Sequence, residues 1–172
     1  MIAVTESIEA EVADSLSLRL VASASGLRAI SFQLTPDSVD LDPTIPFTPP
    51  HNPVLREALS QLRAYFAGRL HEFQLPLDLY GTDFQVRVWR ELQTIPYGRT
   101  CSYSAIAQAI GRPSAVRAVG AANGANPIPI VVPCHRVIGS SGKLVGYGGG
   151  LALKRRLLQL EGIGETLLPP PG

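Results

Sequence analysis

Residues 103–122 read Tyr103-Ser-Ala-Ile-Ala-Gln-Ala-Ile110, then Gly111-Arg112-Pro113, then Ser114-Ala-Val-Arg-Ala-Val-Gly-Ala-Ala122. The first run predicts a helix from about Tyr103 to Ile110, and Gly111-Arg112-Pro113 breaks it. Ser114 is placed to cap a second helix over Ala115 to Ala122. Two short helices joined by a glycine-containing turn are the pattern of a helix-turn-helix. Upstream, Thr82 or Asp83 can cap a helix running through Val86, Val88, Trp89 and Leu92 to Pro96, followed by the turn Pro96-Tyr97-Gly98. Downstream, the apolar run Ile128 to Val132 leads into Pro133-Cys134-His135-Arg136-Val137, and a glycine-rich stretch precedes a last helix over Leu151 to Leu160. Residues 79–163 are therefore expected to form a mainly α-helical, winged-helix-like domain.

The first half of the chain has a different texture. Leu16 to Val21 and Gly26 to Phe32 alternate in short runs separated by Ala, Ser and Gly, which predicts a β-hairpin. Pro36, Pro43, Pro46, Pro49, Pro50 and Pro53 mark a loop or linker. A helix from about Val54 to Ala67 follows, with Leu55, Leu59, Leu62 and Phe66 on one face and Gly68 to stop it. Phe73 to Leu79 alternates as a further short strand. Residues 1–78 are expected to be a small α/β domain, an antiparallel sheet with a helix, and residues 164–172 a flexible tail. No internal repeat is present.

The 172 residues are 45% hydrophobic and 17% charged, the balance of a globular protein and not of a disordered chain. No run of 18 or more apolar residues suggests a membrane span. The first 30 residues carry Glu6, Glu9, Glu11 and Asp14 without a basic start or a long apolar stretch, so a cytoplasmic protein is expected. Cys101 and Cys134 make no C-x-x-C pair, and the histidines at 51, 71 and 135 are scattered, so neither a disulfide scaffold nor a zinc site is expected. The net charge of +1 hides an asymmetry. Residues 1–84 carry five Lys/Arg against eleven Asp/Glu, whereas residues 85–160 carry ten against Glu91 alone. Such a chain presents a basic face to a polyanion from its second half.

Cys134 is followed directly by His135 and Arg136. Burial alone raises a thiol's pKa and makes it inert, and a nearby imidazole can offset this by taking the proton. Adjacent side chains on an extended segment point apart, so coupling between Cys134 and His135 is expected to pass through a bridging water. Glu161 is the best carboxylate of the basic half to orient the imidazole. Cysteine hydrolases share this Cys-His-Glu pattern, and a plain core cysteine is the competing account of Cys134. The second helix of the pair offers small residues and one arginine, Arg117, in place of the Arg, Asn and Gln side chains of a major-groove reader. Small side chains suit close approach to a minor groove, with Arg117 able to fill the space of an extruded base. Packing of the Ala/Gly face against another helix is the alternative.

Pro133-Cys134-His135-Arg136-Val137 resembles the active-site motif of the O6-alkylguanine-DNA alkyltransferases, the methylated-DNA–protein-cysteine methyltransferases. Gly81-Thr82-Asp83-Phe84-Gln85, Val88-Trp89, Ile95-Pro96-Tyr97-Gly98, Ser102-Tyr103, Arg117-Ala118-Val119-Gly120, Asn126-Pro127 and Tyr147-Gly148-Gly149-Gly150 stand in that family's order and spacing across residues 79–162. The resemblance implies a ribonuclease-H-like first domain. It further implies repair of double-stranded DNA by stoichiometric transfer of an alkyl group from O6-alkylguanine, and from O4-alkylthymine, to Cys134. No cofactor or metal is implied. His135 would be the base and Glu161 its orienting group. Tyr103 would turn the nucleotide and donate to the departing guanine, and Asn126 would brace the active-site turn. Arg117 would enter the base stack from the minor groove, with Ser114, Ala118, Ala121, Tyr103 and Arg136 at the DNA. Val137, Tyr147, Gly148 and Lys154 would line the guanine pocket, Lys154 near the leaving oxygen. The implied partner is DNA read largely without sequence preference by a monomer, alone or cooperatively.

The chain departs from relatives in three respects. Residues 1–78 match loosely, mainly through Gly26-Leu-Arg-Ala-Ile-Ser-Phe32, and contain no cysteine for the zinc site that some members carry. Gly148 stands where some relatives have a hydroxyl residue, which leaves a backbone N–H to meet the guanine oxygen. A branch of the family without the acceptor cysteine only senses the lesion, so a non-catalytic sensor and a helix-turn-helix regulator are the alternative functions.

Overall fold

A computed structural model describes residues 6–13, 16–33 and 51–164. The proline-rich stretch up to residue 50 and the expected tail beyond Gly164 lie outside the described residues. The chain divides into two compact units, Met1–Asp78 and Leu79–Gly172.

In the first unit, β1 (Glu6–Ala13), β2 (Leu16–Ser23) and β3 (Gly26–Gln33) form an antiparallel sheet in that order. Alternation decides which face is buried: Leu16, Leu18, Leu20 and Ala22 of β2 all point into the core. β2 and β3 are the expected hairpin. β1 is an addition, read from sequence only as an acidic segment; Ala10 and Val12 supply its buried side while Glu11 is exposed. Helix α1 (Pro53–Phe66) packs on the sheet through Leu55, Ala58, Leu59, Leu62 and Tyr65. Asn52 caps it, its side-chain oxygen accepting from the Val54 amide at 2.9 Å, and Pro53 occupies the first turn, where no N–H is missed. The buried aromatic of the helix is Tyr65, not Phe66, and its ring contacts Phe66 and Phe73.

The expected strand from Phe73 to Leu79 is reduced to one parallel bridge between Leu27 and Leu77. The amide of Leu27 donates to the Pro76 carbonyl at 2.8 Å, and the Asp78 amide donates back to the Leu27 carbonyl at 2.8 Å. Further upstream, the Gln74 backbone is satisfied by the Gln61 side chain, which accepts from its amide at 2.8 Å and donates to its carbonyl at 3.0 Å. A side-chain amide thus replaces the ladder a strand would need. Asp78 ends the segment by accepting from Ser23 Oγ at 2.6 Å and Arg28 Nη1 at 2.9 Å.

The second unit opens with α2 (Asp83–Leu92), fixed at its start by a capping box: the Gln85 amide donates to Thr82 Oγ1 at 3.3 Å, and Gln85 Oε1 accepts from the Thr82 amide at 3.0 Å. The helix stops at Leu92, short of Pro96. Trp89 is buried and donates from Nε1 to the Ala122 carbonyl at 2.8 Å, tying α2 to α4 (Val116–Gly124). Helix α3 (Tyr103–Ala109) is capped by Ser102 and ends before Gly111 at φ +71°. Ala115 holds the N-cap position of α4 and no side chain caps the helix, so Ser114 is not the expected cap; it lies exposed in the turn, where the Ala115 amide already donates to the Arg112 carbonyl.

Between α4 and the last helix, α5 (Gly150–Leu160), the chain makes a tight buried turn. The Val132 amide donates to the Ile128 carbonyl, and Ile130, fully buried, takes φ +75°. That conformation is costly for a β-branched residue and persists only where its surroundings enforce it. Cys134–Arg136 form a 3-10 turn and not the expected extended segment. Strand β5 (Val137–Ile138) then pairs in parallel with β4 (Cys101–Ser102), which runs directly into α3. This register sets Tyr103 and the end of the 3-10 turn side by side.

Gly26 holds φ +149°, and a Cβ there would sit 2.4 Å from the Pro76 carbonyl oxygen, a backbone atom that cannot move aside cheaply. Gly26→Ala should therefore cost about 2 kcal/mol or more, seen as a lowered midpoint in urea unfolding followed by far-ultraviolet circular dichroism. Gly124→Ala, whose Cβ meets nothing within 4 Å, should leave the midpoint nearly unchanged.

Candidate active site

Cys134 sits at the start of the 3-10 turn, 4% exposed. Burial pushes its thiol up to about 11, so the resting group is a protonated thiol. Against that burial act a hydrogen bond from the Asn126 side chain, the charge of Lys154 and nearby backbone groups, all of which favour the thiolate. Asn126 also spans the tight turn that presents Cys134. Its Nδ2 donates to the Val132 carbonyl at 2.8 Å, and its Oδ1 accepts from the Ile128 amide at 3.0 Å.

His135 is fully buried, and its Nε2 lies 2.7 Å from Glu161 Oε1. Burial holds the imidazole below its usual range, and Glu161 only partly restores it. Glu161 follows the last turn of α5, where the helix dipole repels a carboxylate, so its placement needs compensation. Arg136 supplies it: Nε donates to Oε2 at 2.9 Å and Nη2 to Oε1 at 3.0 Å, while Nη1 donates to the Ile95 carbonyl at 2.6 Å. The Gly98 amide also donates to Oε2 at 3.3 Å, and Tyr97 Oη donates to the Leu160 carbonyl at 2.9 Å. Arg136 was expected at a DNA surface. It is 6% exposed with its guanidinium committed to Glu161 and Ile95, which corrects that expectation.

A cavity of about 420 Å³ opens beside this cluster, lined by α3, α4 and the 145–148 loop, with Tyr103, Arg117, Asn123, Tyr147 and Gly148 among its walls. That volume suits a small planar ligand. Tyr103 Oη donates to the Val145 carbonyl at 3.4 Å. Its hydroxyl and that of Tyr147 are raised above the usual range first by burial and then by the charge that Cys134 would carry. Lys154 was expected near a leaving oxygen. It is instead a fully buried clamp, donating to the Val137 carbonyl at 2.7 Å and the Val145 carbonyl at 2.9 Å. Burial lowers it to about 8. Val137 is buried and contributes this carbonyl; Gly148 is exposed at the cavity rim.

On the outer face of α4, Arg117, Ala118 and Ala121 are exposed with Ser114 just ahead of the helix, while Val119, Ala122 and Asn123 face inward. The structure thus gathers Cys134, His135, Glu161, Asn126, Tyr103, Tyr147 and Lys154 in one neighbourhood. Sequence reasoning passed over Asn123 and marked Tyr97 and Gly98 only as part of a turn and a family motif, without a role at the site. Asn123 could have been found as the one amide on the apolar face of α4.

The described residues contain no cluster of His, Cys, Asp and Glu able to hold a metal, and no helix long and apolar enough to cross a membrane. Residues 83–163 match the model of the 6-O-methylguanine DNA methyltransferase DNA-binding domain, and residues 17–79 that of the same family's ribonuclease-like domain. The methylated-DNA–protein-cysteine methyltransferase of Mycobacterium tuberculosis is 68% identical over 104 residues, 60% of this chain and 63% of that protein. The Mycobacterium leprae protein of the same name is 63% identical over 112 residues, 65% of this chain and 68% of that protein. The chain thus spans about two thirds of the length of these curated relatives. The crystal structure of the M. tuberculosis O6-methylguanine methyltransferase superposes with a TM-score of 0.76 at 46% identity, covering 98% of this chain and 97% of that one. A structure of M. tuberculosis OGT in complex with DNA gives a TM-score of 0.74 at 46% identity over 96% and 95% of the two chains. With both of its units matched and Cys134 standing at the centre of the cluster, the chain belongs to the 6-O-methylguanine DNA methyltransferase family.

Proposed function

We propose that the chain repairs alkylated DNA by moving the alkyl group from O6 of an everted guanine, and from O4 of an alkylated thymine, onto its own Cys134, once per molecule. One observation carries this reading: a buried cysteine next in sequence to a histidine paired with a buried carboxylate at 2.7 Å, in the same unit as a base-sized cavity walled by Tyr103, Asn123 and Tyr147 and by the helix of small residues. An alkyl group on O6 lies inside the base stack, so the base must leave the duplex before a buried sulfur can reach it.

His135, held by Glu161, takes the Cys134 proton through a bridging water. Sγ attacks the alkyl carbon in line, the carbon–O6 bond breaks, and its electron pair passes into the guanine. A proton from Tyr103, replaced from solvent, or from the imidazolium neutralises the leaving base. Asn126 and Lys154 support the thiolate, and Asn126 keeps the turn in place. Tyr147 and the backbone at Val137 and Gly148 line the base pocket. A thioether is not hydrolysed at useful rates, so the protein is consumed.

The exposed face of α4 fits a minor groove. Ala118 and Ala121 let the helix backbone lie close, Ser114 can meet a phosphate, and Arg117 fills the space the base vacates. Such contacts carry little sequence information. The M. tuberculosis relative has been crystallised with DNA, in keeping with a duplex as partner. The reading is of a monomer acting in the cytoplasm.

Incubation with a duplex containing O6-methylguanine should add one methyl per chain, found on Cys134 by intact mass and peptide mapping. Tight lesion binding with Cys134 unmodified would point instead to a sensor. Arg117→Ala should slow transfer from duplex about tenfold or more while leaving transfer from a free O6-alkylguanine base within about twofold; equal losses would remove Arg117 from the stack.

The thiol makes a pH prediction. The native Cys134 gives up its proton near 11, and an unstructured thiol near 9.0. Between those values the unfolded chain releases this proton first, so the native state's contribution is present below about 9 and is lost as pH rises towards 11. Lys154, lowered to about 8 from 10.5, acts in the opposite sense over its own window. The difference in thiolate absorbance between the unmodified protein and Cys134→Ala isolates the sulfur. Its midpoint should lie near 11 in the folded chain and near 9 in urea.

A further inference from the structure

The turn Ile95-Pro96-Tyr97-Gly98 moves no proton and no carbon in the steps above, yet it meets both partners of the Arg136–Glu161 pair. The Ile95 carbonyl accepts from Arg136 Nη1 at 2.6 Å, and the Gly98 amide donates to Glu161 Oε2 at 3.3 Å. Gly98 takes φ +72°, and a Cβ there would stand 3.0 Å from the Glu161 carbonyl oxygen, so the turn lies hard against the end of α5. Tyr97 is the side chain of the turn that spans the pair. Its ring centroid is 5.9 Å from Arg136 Cζ, within cation–π reach, and its Oη donates to the Leu160 carbonyl at 2.9 Å, one residue ahead of Glu161. Burial, and then the Glu161 charge, raise that phenol, so it stays a donor at neutral pH.

What the ion pair does for the imidazole depends on a balance. Glu161 orients His135, but a carboxylate 2.7 Å away also draws a proton onto it. An imidazolium cannot take the proton of Cys134. The titratable groups packed around the His135–Glu161 pair are Cys134 and Arg136 from the 3-10 turn, Lys154 from α5, Tyr97 from its turn and Tyr147 from the cavity wall. Burial holds His135 neutral against the pull of Glu161, and the charges of Arg136 and Lys154 act in the same direction as burial. Lys154 is fixed by the Val137 and Val145 carbonyls, Arg136 by Glu161, Ile95 and the Tyr97 ring. Taking away the ring admits water beside the guanidinium. Burial and the Arg136 charge then both weaken, and each change raises the proton affinity of His135.

We infer that Tyr97 is a positioning residue for the transfer step: its ring holds and covers Arg136 on Glu161, so that the carboxylate orients His135 without protonating it. This rests on the alkyl-transfer reading above and deepens it. The hydroxyl, bonded to Leu160, anchors the ring, and the ring carries the effect. A general base must be both oriented and neutral. Glu161 supplies the first property, and Tyr97, through Arg136, protects the second.

The test is the acid limb of the pH profile for single-turnover transfer from an O6-methylguanine duplex to Cys134, read by intact mass, in chains shown to be folded by their melting curves. In Tyr97→Leu the limb should move to higher pH, so that the ratio of the rate at neutral pH to that at about pH 5.5 grows about threefold or more over the unmodified chain's. A ring that only supported the fold would lower the melting temperature and leave this ratio alone. Tyr97→Phe keeps the ring and loses the hydroxyl, and its limb should coincide with that of the unmodified chain. Nuclear magnetic resonance of isotope-labelled histidine rings reads the same displacement at His135 without any DNA. An unmoved limb or an unmoved His135 titration in Tyr97→Leu overturns the assignment, as does a limb displaced as far in Tyr97→Phe as in Tyr97→Leu. Absence of transfer by the unmodified chain at every pH overturns the transferase reading instead, and the histidine titration then still decides whether Tyr97 sets the state of the imidazole.

Discussion

A single buried carboxylate organises this molecule's second unit. Glu161 accepts from His135, from two nitrogens of Arg136 and from the Gly98 amide, all within 3.3 Å. A carboxylate at the C-terminal end of a helix and out of water is unfavourable unless opposite charge and hydrogen bonds surround it. Arg136 supplies the charge, and its remaining N–H reaches the Ile95 carbonyl ahead of the Tyr97-Gly98 turn. Three segments distant in sequence, around residues 95–98, 134–136 and 161, therefore meet on one anion. The same contact orients the imidazole: with Nε2 facing Glu161, Nδ1 is the ring nitrogen that carries the lone pair.

The chemistry follows from that frame. A thiol held near 11 is a poor nucleophile at neutral pH and is protected from adventitious alkylation. It needs a base that is itself neutral, and burial keeps His135 in that state. Asn126, Lys154 and the backbone then favour the thiolate once it forms. Strain at Ile130 and the Asn126 brace fix where the sulfur points, so the cost of its position is borne by folding before any substrate arrives.

Much of the fold was legible because local signals agreed with the tertiary structure. Thr82, Gly68 and Gly111 mark helix ends for local reasons, and the alternation of Leu16, Leu18 and Leu20 fixes a buried face. What escaped depends on partners far away. β1 is acidic in sequence and became a strand only through pairing with β2. The segment before Leu77 alternates like a strand, but Gln61 takes its backbone. Ser114 looks like a cap but stands one residue ahead of the N-cap position of α4. At the site, residue types pointed to Cys134, His135 and Glu161, yet a basic residue carries no mark of burial, so Arg136 and Lys154 read as surface or substrate contacts when both are internal struts. Asn123 drew no notice because a lone amide in a helix of alanines and valines has no motif around it.

If the His135–Glu161 pair draws the proton from Cys134 and so makes it an acceptor of alkyl groups, removing the carboxylate's charge must show in the rate. The most direct measurement is the pH dependence of single-turnover transfer from O6-methylguanine duplex in Glu161→Gln, in material shown to be folded by its melting curve. Transfer should fall by on the order of 100-fold near neutral pH, recovering as rising pH supplies thiolate without the base. A rate and pH profile matching the unmodified protein would contradict that role.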